Sequence, residues 1–163
     1  MGRWRPPPPA SSPYITRAGY IALQQQVQEL WLMRRDVVQA LAAAAAEGDR
    51  SENAEYIYRK KELGGIDRRI RYLQKRMPKL KVVDPQNRQD KVFFGAWVLL
   101  EREDSSTVEY RIVGPDETNL STNWISMDSP LAKVLLRKGL DDKILLALDK
   151  RQDTFVIVGI RYE

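Results

Sequence analysis

Asp49 and Glu52 stand three residues apart beside a turn-forming stretch, Glu47-Gly48-Asp49-Arg50-Ser51, and are the side chains of this chain best spaced for chemistry. The 163 residues contain no His and no Cys. That excludes Ser-His-Asp and Cys-His nucleophiles, Cys/His zinc sites, iron-sulfur clusters and disulfide frameworks. Any metal would have to be held by oxygen. Carboxylates, amides and hydroxyls suit magnesium or manganese, which keep several waters or borrow ligands from a partner. The pair alone would hold magnesium weakly, since only Glu47 and Glu55 lie near it in sequence. The spacing also has a purely structural meaning. Asp-x-x-Glu resembles a capping box, with Asp49 or Ser51 capping the next helix and Glu52 favoured by that helix's N-terminal dipole. The two readings are compatible, because a cap also fixes where a carboxylate points.

The elements that must position this pair are two heptad seams. The first runs through Leu23, Val27, Leu30, Val37, Leu41 and Ala44, with Arg34 as its polar entry; the second runs through Tyr56, Leu63, Ile66, Ile70, Leu73, Met77 and Leu80, with Arg59 as its polar entry. Alternating steps of four and three mark a coiled coil. Gly48 can supply the left-handed residue that closes the first helix, and Pro78 ends or frays the second. Helices joined by so short a turn run antiparallel. About 28 residues per arm at 1.5 Å each make a rod on the order of 40 Å long. Ala42 to Ala46 support the helix and keep the end of the hairpin thin, as passage through a narrow opening would require.

The second arm is basic. Eight cations (Arg59, Lys60, Lys61, Arg68, Arg69, Arg71, Lys75 and Arg76) face only Glu62 and Asp67, a net of +6 that leaves −1 for the rest of a chain whose total is +5. Lys61, Arg68 and Lys75 recur every seven residues with Arg71 beside them, a stripe that would attract phosphates. A solvated coiled-coil flank explains the run equally well. Few aromatics interleave it, which argues against a base-stacking platform.

Residues 1–13 hold five of the nine prolines and are expected to form a disordered Pro-rich tail. Residues 14–81 form the coiled-coil domain. Residues 82–163 shift to a period of two, with strands expected at Val92 to Glu101, Thr107 to Val113, Asn123 to Met127, Lys143 to Leu148 and Thr154 to Tyr162. One short helix interrupts them, with Ser129 as N-cap, Pro130 at its first position and Leu131 to Lys138 continuing it. The fold class is therefore α+β: a helical hairpin followed by a small, mostly antiparallel sheet domain. No apolar stretch approaches the ~20 residues of a membrane span, and the N-terminus lacks a signal peptide's apolar core. A soluble cytoplasmic protein is expected, consistent with the lack of disulfides.

Several motifs in order carry a resemblance. Gly48-Asp49-Arg50-Ser51-Glu52-Asn53-Ala54-Glu55-Tyr56, Ile66-Asp67-Arg68-Arg69-Ile70-Arg71-Tyr72-Leu73, Lys91-Val92-Phe93-Phe94-Gly95-Ala96-Trp97-Val98 and Ile125-Ser126-Met127-Asp128-Ser129-Pro130 resemble the bacterial Gre transcript-cleavage factors. Arg50, the basic second arm and the Phe-Phe-Gly-Ala-Trp run resemble the GreB type more than GreA. The resemblance implies a monomeric factor that rescues backtracked RNA polymerase: a coiled coil entering the secondary channel and an FKBP-like domain docking on its rim. It implies that Asp49 and Glu52 help hold a magnesium ion shared with the polymerase, whose own active site cleaves the nascent RNA 3′ end, so that the factor is not itself the enzyme. Arg50, Ser51 and Asn53 would support the tip or touch RNA. Lys61, Arg68, Arg69, Arg71 and Lys75 would face the transcript, and Asp128, Ser129 and Pro130 would dock on the polymerase. Three features depart from the family pattern: the Pro-rich leader, Gly64-Gly65 in the second arm, and Arg137-Lys138-Gly139-Leu140-Asp141-Asp142 in place of a Gly-Asp turn. Three alternatives stand beside this expectation. One is a channel-binding inhibitor of the same family, against which the intact acid pair speaks. The others are a prolyl isomerase using Phe93, Phe94, Trp97 and Phe155, and a coiled-coil nucleic-acid binder that works without polymerase.

Overall fold

The computed structural model describes residues 10–48, 53–85 and 90–162. They divide into two compact units, one spanning Tyr20–Leu80 and one combining the described residues of 10–19 with those of 81–162.

In the helical unit, α1 (Arg17–Ala46) and α2 (Ala54–Arg76) follow the two heptad seams. Leu23, Leu30, Val37 and Ala44 of α1 and Ile66, Ile70 and Leu73 of α2 are buried, as the spacing predicts. Three cross-links establish direction. The Asn53 amide donates to the Ala44 carbonyl (2.7 Å), Arg34 Nε to Asp67 (2.8 Å), and Arg69 Nη2 to Gln26 (3.0 Å). Residue numbers rise along one helix as they fall along the other, so the pair is antiparallel. Arg34, the polar entry of the first seam, is thereby matched by an acid, and Arg59 of the second is held by Glu55 and Glu62. Helix α2 runs unbroken through Gly64 and Gly65 and ends at Arg76, after which Pro78 sits in a single 3-10 turn, Met77–Lys79. Lys75 and Arg76 in its last turn complement the helix dipole.

In the globular unit, β1 (Tyr14–Ile15) pairs in parallel with β2 (Lys81–Val82), so the N-terminal segment belongs structurally with the C-terminal domain. By contact, residues up to Gly19 group with the sheet domain, where the sequence reading starts the coiled-coil domain at residue 14. The expected disordered tail also shortens: Pro13 accepts a hydrogen bond from Lys81 N–H (2.7 Å), and Ser12 is held by Asp128. The prolines at 6 to 9 lie outside the described residues.

The main sheet comprises β3 (Trp97–Arg102), β4 (Thr107–Val113), β5 (Trp124–Ser126), β6 (Lys143–Leu148) and β7 (Arg151–Arg161) in the order β5-β4-β3-β7-β6. All pairings are antiparallel except β4 with β5. One face packs Val98, Leu100, Ile112, Ile144, Phe155 and Ile157 against α3 (Pro130–Leu135), which contributes Ala132 and Leu135. Three expected boundaries differ by three residues or more, one being β7, which starts at Arg151 and not at Thr154 because its first residues pair with the end of β6. The strand expected from Val92 starts at Trp97, because residues 92–96 turn through Gly95 at φ +87°. Helix α3 stops at Leu135 because Leu136, at ψ 134°, leaves the helical path, and Arg137 follows at φ +71°. On the opposite face, Arg111 lies between the rings of Trp97 and Trp124, and Arg161 covers Trp97 while pairing with Glu109.

Candidate functional site

Asp49, Arg50, Ser51 and Glu52 lie outside the described residues, in the link between α1 and α2. The structure does describe both flanks of that link. On the near side, α1 closes with Glu47 N–H donating to Ala44 O (3.2 Å), and Gly48 takes φ +148°, a conformation that glycine alone adopts readily. On the far side, α2 begins at Ala54 with Asn53 as N-cap, its Oδ1 accepting from Tyr56 N–H (3.1 Å). The capping role expected of Asp49 or Ser51 therefore falls to Asn53. The Asp49–Glu52 capping box expected from the spacing falls on residues outside the described ones. Asn53 also ties α2 to the last turn of α1 through Ala44, so one amide side chain both starts a helix and closes the hairpin.

The proposed RNA-facing residues separate into two groups. At ~100° per residue, Lys61, Arg68 and Lys75 fall within about 40° of one another on α2, opposite the buried Ile66, Ile70 and Leu73, with Arg71 at the stripe's edge. All four are exposed and have no described acidic partner. Arg69 is different: it faces the seam, bonds Gln26 of α1 and stacks on Tyr72 at 5.3 Å. Tyr72 itself is 43% exposed and borders a small depression with Lys75, Arg76 and Lys79, so the stripe carries an aromatic that heptad counting had not placed there.

In the globular unit, Ser129 Oγ accepts from Ala132 N–H (3.3 Å) as the N-cap of α3, and Pro130 occupies the first position, as expected. Asp128 precedes them. Its carboxylate receives both the backbone N–H (2.9 Å) and the hydroxyl of Ser12, one on each oxygen. Farther along the same N-terminal segment, Thr16 donates its N–H (2.7 Å) and its hydroxyl to Glu117, which also accepts from Gly114 N–H (3.0 Å). Gly114 and Gly19 allow this junction, since a Cβ on the former would collide with the Tyr14 carbonyl and on the latter with the Glu117 carboxylate.

Two family models match nearly the whole chain: the transcription elongation factor N-terminal domain over residues 13–82 and the GreA/GreB C-terminal domain over residues 86–162. The chain belongs to the GreA/GreB family of transcription elongation factors. Its curated relatives include a transcription elongation factor GreB of Xanthomonas axonopodis pv. citri, 54% identical over 99% of this chain and 98% of that one. Another, from Yersinia pestis, is 52% identical over 94% of this chain and 91% of that one. Among solved structures, GreA factor homolog 1 of Thermus thermophilus aligns at 25% identity with a TM-score of 0.42, covering 91% of this chain and 97% of that one.

Against the Gre-family pattern, the departing loop at residues 137–142 is well held. Arg137 N–H donates to Val92 O (2.7 Å), Val92 N–H to Lys138 O (2.8 Å), and Gly139 N–H to Asp142 (2.7 Å). The aromatics invoked for a prolyl isomerase do not converge. Phe155 is core, Trp97 stacks on the other sheet face, and Phe94 packs near Tyr14 at 6.4 Å. Sequence reasoning missed Ser12, Thr16 and Glu117. A polar residue in an expected tail and a lone Glu in a turn carry no periodic signal. Among the described residues no cluster of three acidic side chains could hold a metal, and no helix is long and apolar enough to cross a membrane.

Proposed function

We propose that this Gre-family chain acts in the cytoplasm on bacterial RNA polymerase, entering its secondary channel as a monomer and stimulating cleavage of backtracked nascent RNA by the polymerase's own active site. The observation that carries this reading is the antiparallel pairing of α1 and α2, closed by Asn53 on the Ala44 carbonyl, which puts Asp49 and Glu52 in the short link between the two helices. Two carboxylates three residues apart are a suitable oxygen donor set for magnesium whose remaining ligands come from another protein. Magnesium bound there would lower the pKa of a water and offset charge on the scissile phosphate. Asp49 and Glu52 supply negative charge and hydrogen-bond acceptors that orient this water. Arg50, Ser51 and Asn53 hold the tip. The exposed Lys61, Arg68, Arg71 and Lys75 draw the transcript in, while Arg69 braces the two helices. Asp128, Ser129 and Pro130 dock on the channel rim, with Asp128 oriented by Ser12.

Stalled, backtracked complexes of purified polymerase test the reading. Asp49→Ala and Glu52→Ala should each slow stimulated cleavage by about 10²-fold, the usual loss on removing one preorganised electrostatic group. Binding to polymerase should stay close to that of the parent. Variants that cleave as the parent does would remove the metal-holding role.

A further inference from the structure

Outside the helical stripe the chain sums to −1, yet the globular unit gathers an uncompensated cluster of cations. Lys133, Arg137, Lys138 and Lys143 surround a depression of about 530 Å³ at the C-terminal end of α3, and no acidic side chain lines it. All four are exposed, and none has an ion pair or side-chain hydrogen bond among the described residues. The floor is apolar. It includes half-buried Val134 and Leu145, the latter 54% exposed. The rim is built, because residues 137 and 138 are fixed to Val92 by two backbone hydrogen bonds, and Arg137 stands at φ +71° where a glycine would be unstrained.

We infer that this depression is a second polymerase-docking surface, which takes an acidic polypeptide segment carrying an apolar side chain. The inference rests on the function proposed above for its choice of partner. The observations favour a polypeptide over nucleic acid. A phosphate backbone would satisfy the cations but leave the apolar floor uncovered, and no aromatic ring lines the site to stack a base. An acidic segment with an aliphatic anchor satisfies both. The site is also opposite in sign to Asp128 at the other end of α3, roughly 9 Å away along six helical residues. The two ends therefore recognise different elements of the partner, and opposed charges set the orientation in which the domain docks.

The test uses the full chain and purified bacterial core RNA polymerase. One variant combines Lys133→Glu, Arg137→Glu, Lys138→Glu and Lys143→Glu; a milder one carries Gln at the same four positions; melting curves check folding. Separately, a photo-activatable benzophenone at position 145 reports what covers the floor, without depending on either variant. The expected result is about ten-fold weaker half-saturation for the Glu variant at low salt, a smaller loss for the Gln variant, and convergence with the parent at high salt. The cross-link should fall on an Asp/Glu-rich polypeptide segment of the polymerase. Unchanged binding by both variants, while Asp128→Ala weakens it, would overturn this surface and leave the proposed function standing. A cross-link to RNA or DNA would overturn it in favour of nucleic acid. A parent chain that does not bind polymerase would overturn both.

Discussion

Single side chains carry several decisions in this molecule. Asn53 accepts from Tyr56 N–H and donates to Ala44 O, so helix start and hairpin closure depend on one amide. Ser12 plays a comparable part in the globular unit. Both its donors go to Asp128, and a carboxylate so held cannot swing away from the surface beside α3. Ser12→Ala removes the hydroxyl bond and should cost about 1–2 kcal/mol of stability, the range for a partly exposed hydrogen bond to a charged group. Denaturant titration of the full chain measures this directly. The same variant should need more protein to reach half-saturation of polymerase, with cleavage at saturation unchanged. A defect that persists at saturation would mean that Asp128 does more than dock.

The helices show how far local preference can be overridden. Gly64 and Gly65 each disfavour a helix interior by about 1 kcal/mol relative to Ala, yet α2 passes through them without interruption. The seam explains this: Ile66, Ile70 and Leu73 lie buried just beyond the glycines, and Arg34–Asp67 and Arg69–Gln26 pin the same region to α1. Arg34 and Asp67 are about one-third exposed, so their pair contributes less than about 1 kcal/mol and acts mainly on register. The glycines need no open space, because an added Cβ would meet only the flexible end of Arg68, at 3.4 and 3.8 Å. Gly64→Ala and Gly65→Ala should therefore each stabilise the helical unit by about 0.5–1 kcal/mol, visible as a higher melting temperature by circular dichroism. A lower melting temperature would show that α2 requires the glycines' conformational freedom.

For the whole chain, charge is arranged by surface and hidden in the total. The α2 stripe and the α3 depression are both positive, Asp128 and Glu117 lie at the N-terminal clamp, and the net is only +5. Replacing Arg68, Arg71 and Lys75 by Gln should weaken engagement of backtracked complexes several-fold at low ionic strength and little at high, because exposed charges are screened beyond about 10 Å in 0.1 M salt. Titrating complexes at several salt concentrations checks this. A loss equal at every ionic strength would point to packing instead of charge.

The hairpin was legible in the chain because heptad spacing is a local property: the burial of Leu23, Leu30, Ile66 and Leu73 follows from neighbours three and four residues away. The Ser129 and Pro130 start of α3 was legible for the same reason. The motifs around residues 48–56 and 125–130 were enough to point to the family. Other features join distant positions: Ser12 to Asp128 across 116 residues, Thr16 to Glu117 across 101, and Lys143 of one strand to the cations that follow α3. The choice of Asn53 over Asp49 or Ser51 as cap likewise depends on where α1 stops and offers the Ala44 carbonyl. Periodicity reports which face of an element is buried, but it holds no record of which remote backbone lies against that face. Those partnerships were decided only when strand pairing and helix packing brought the segments together.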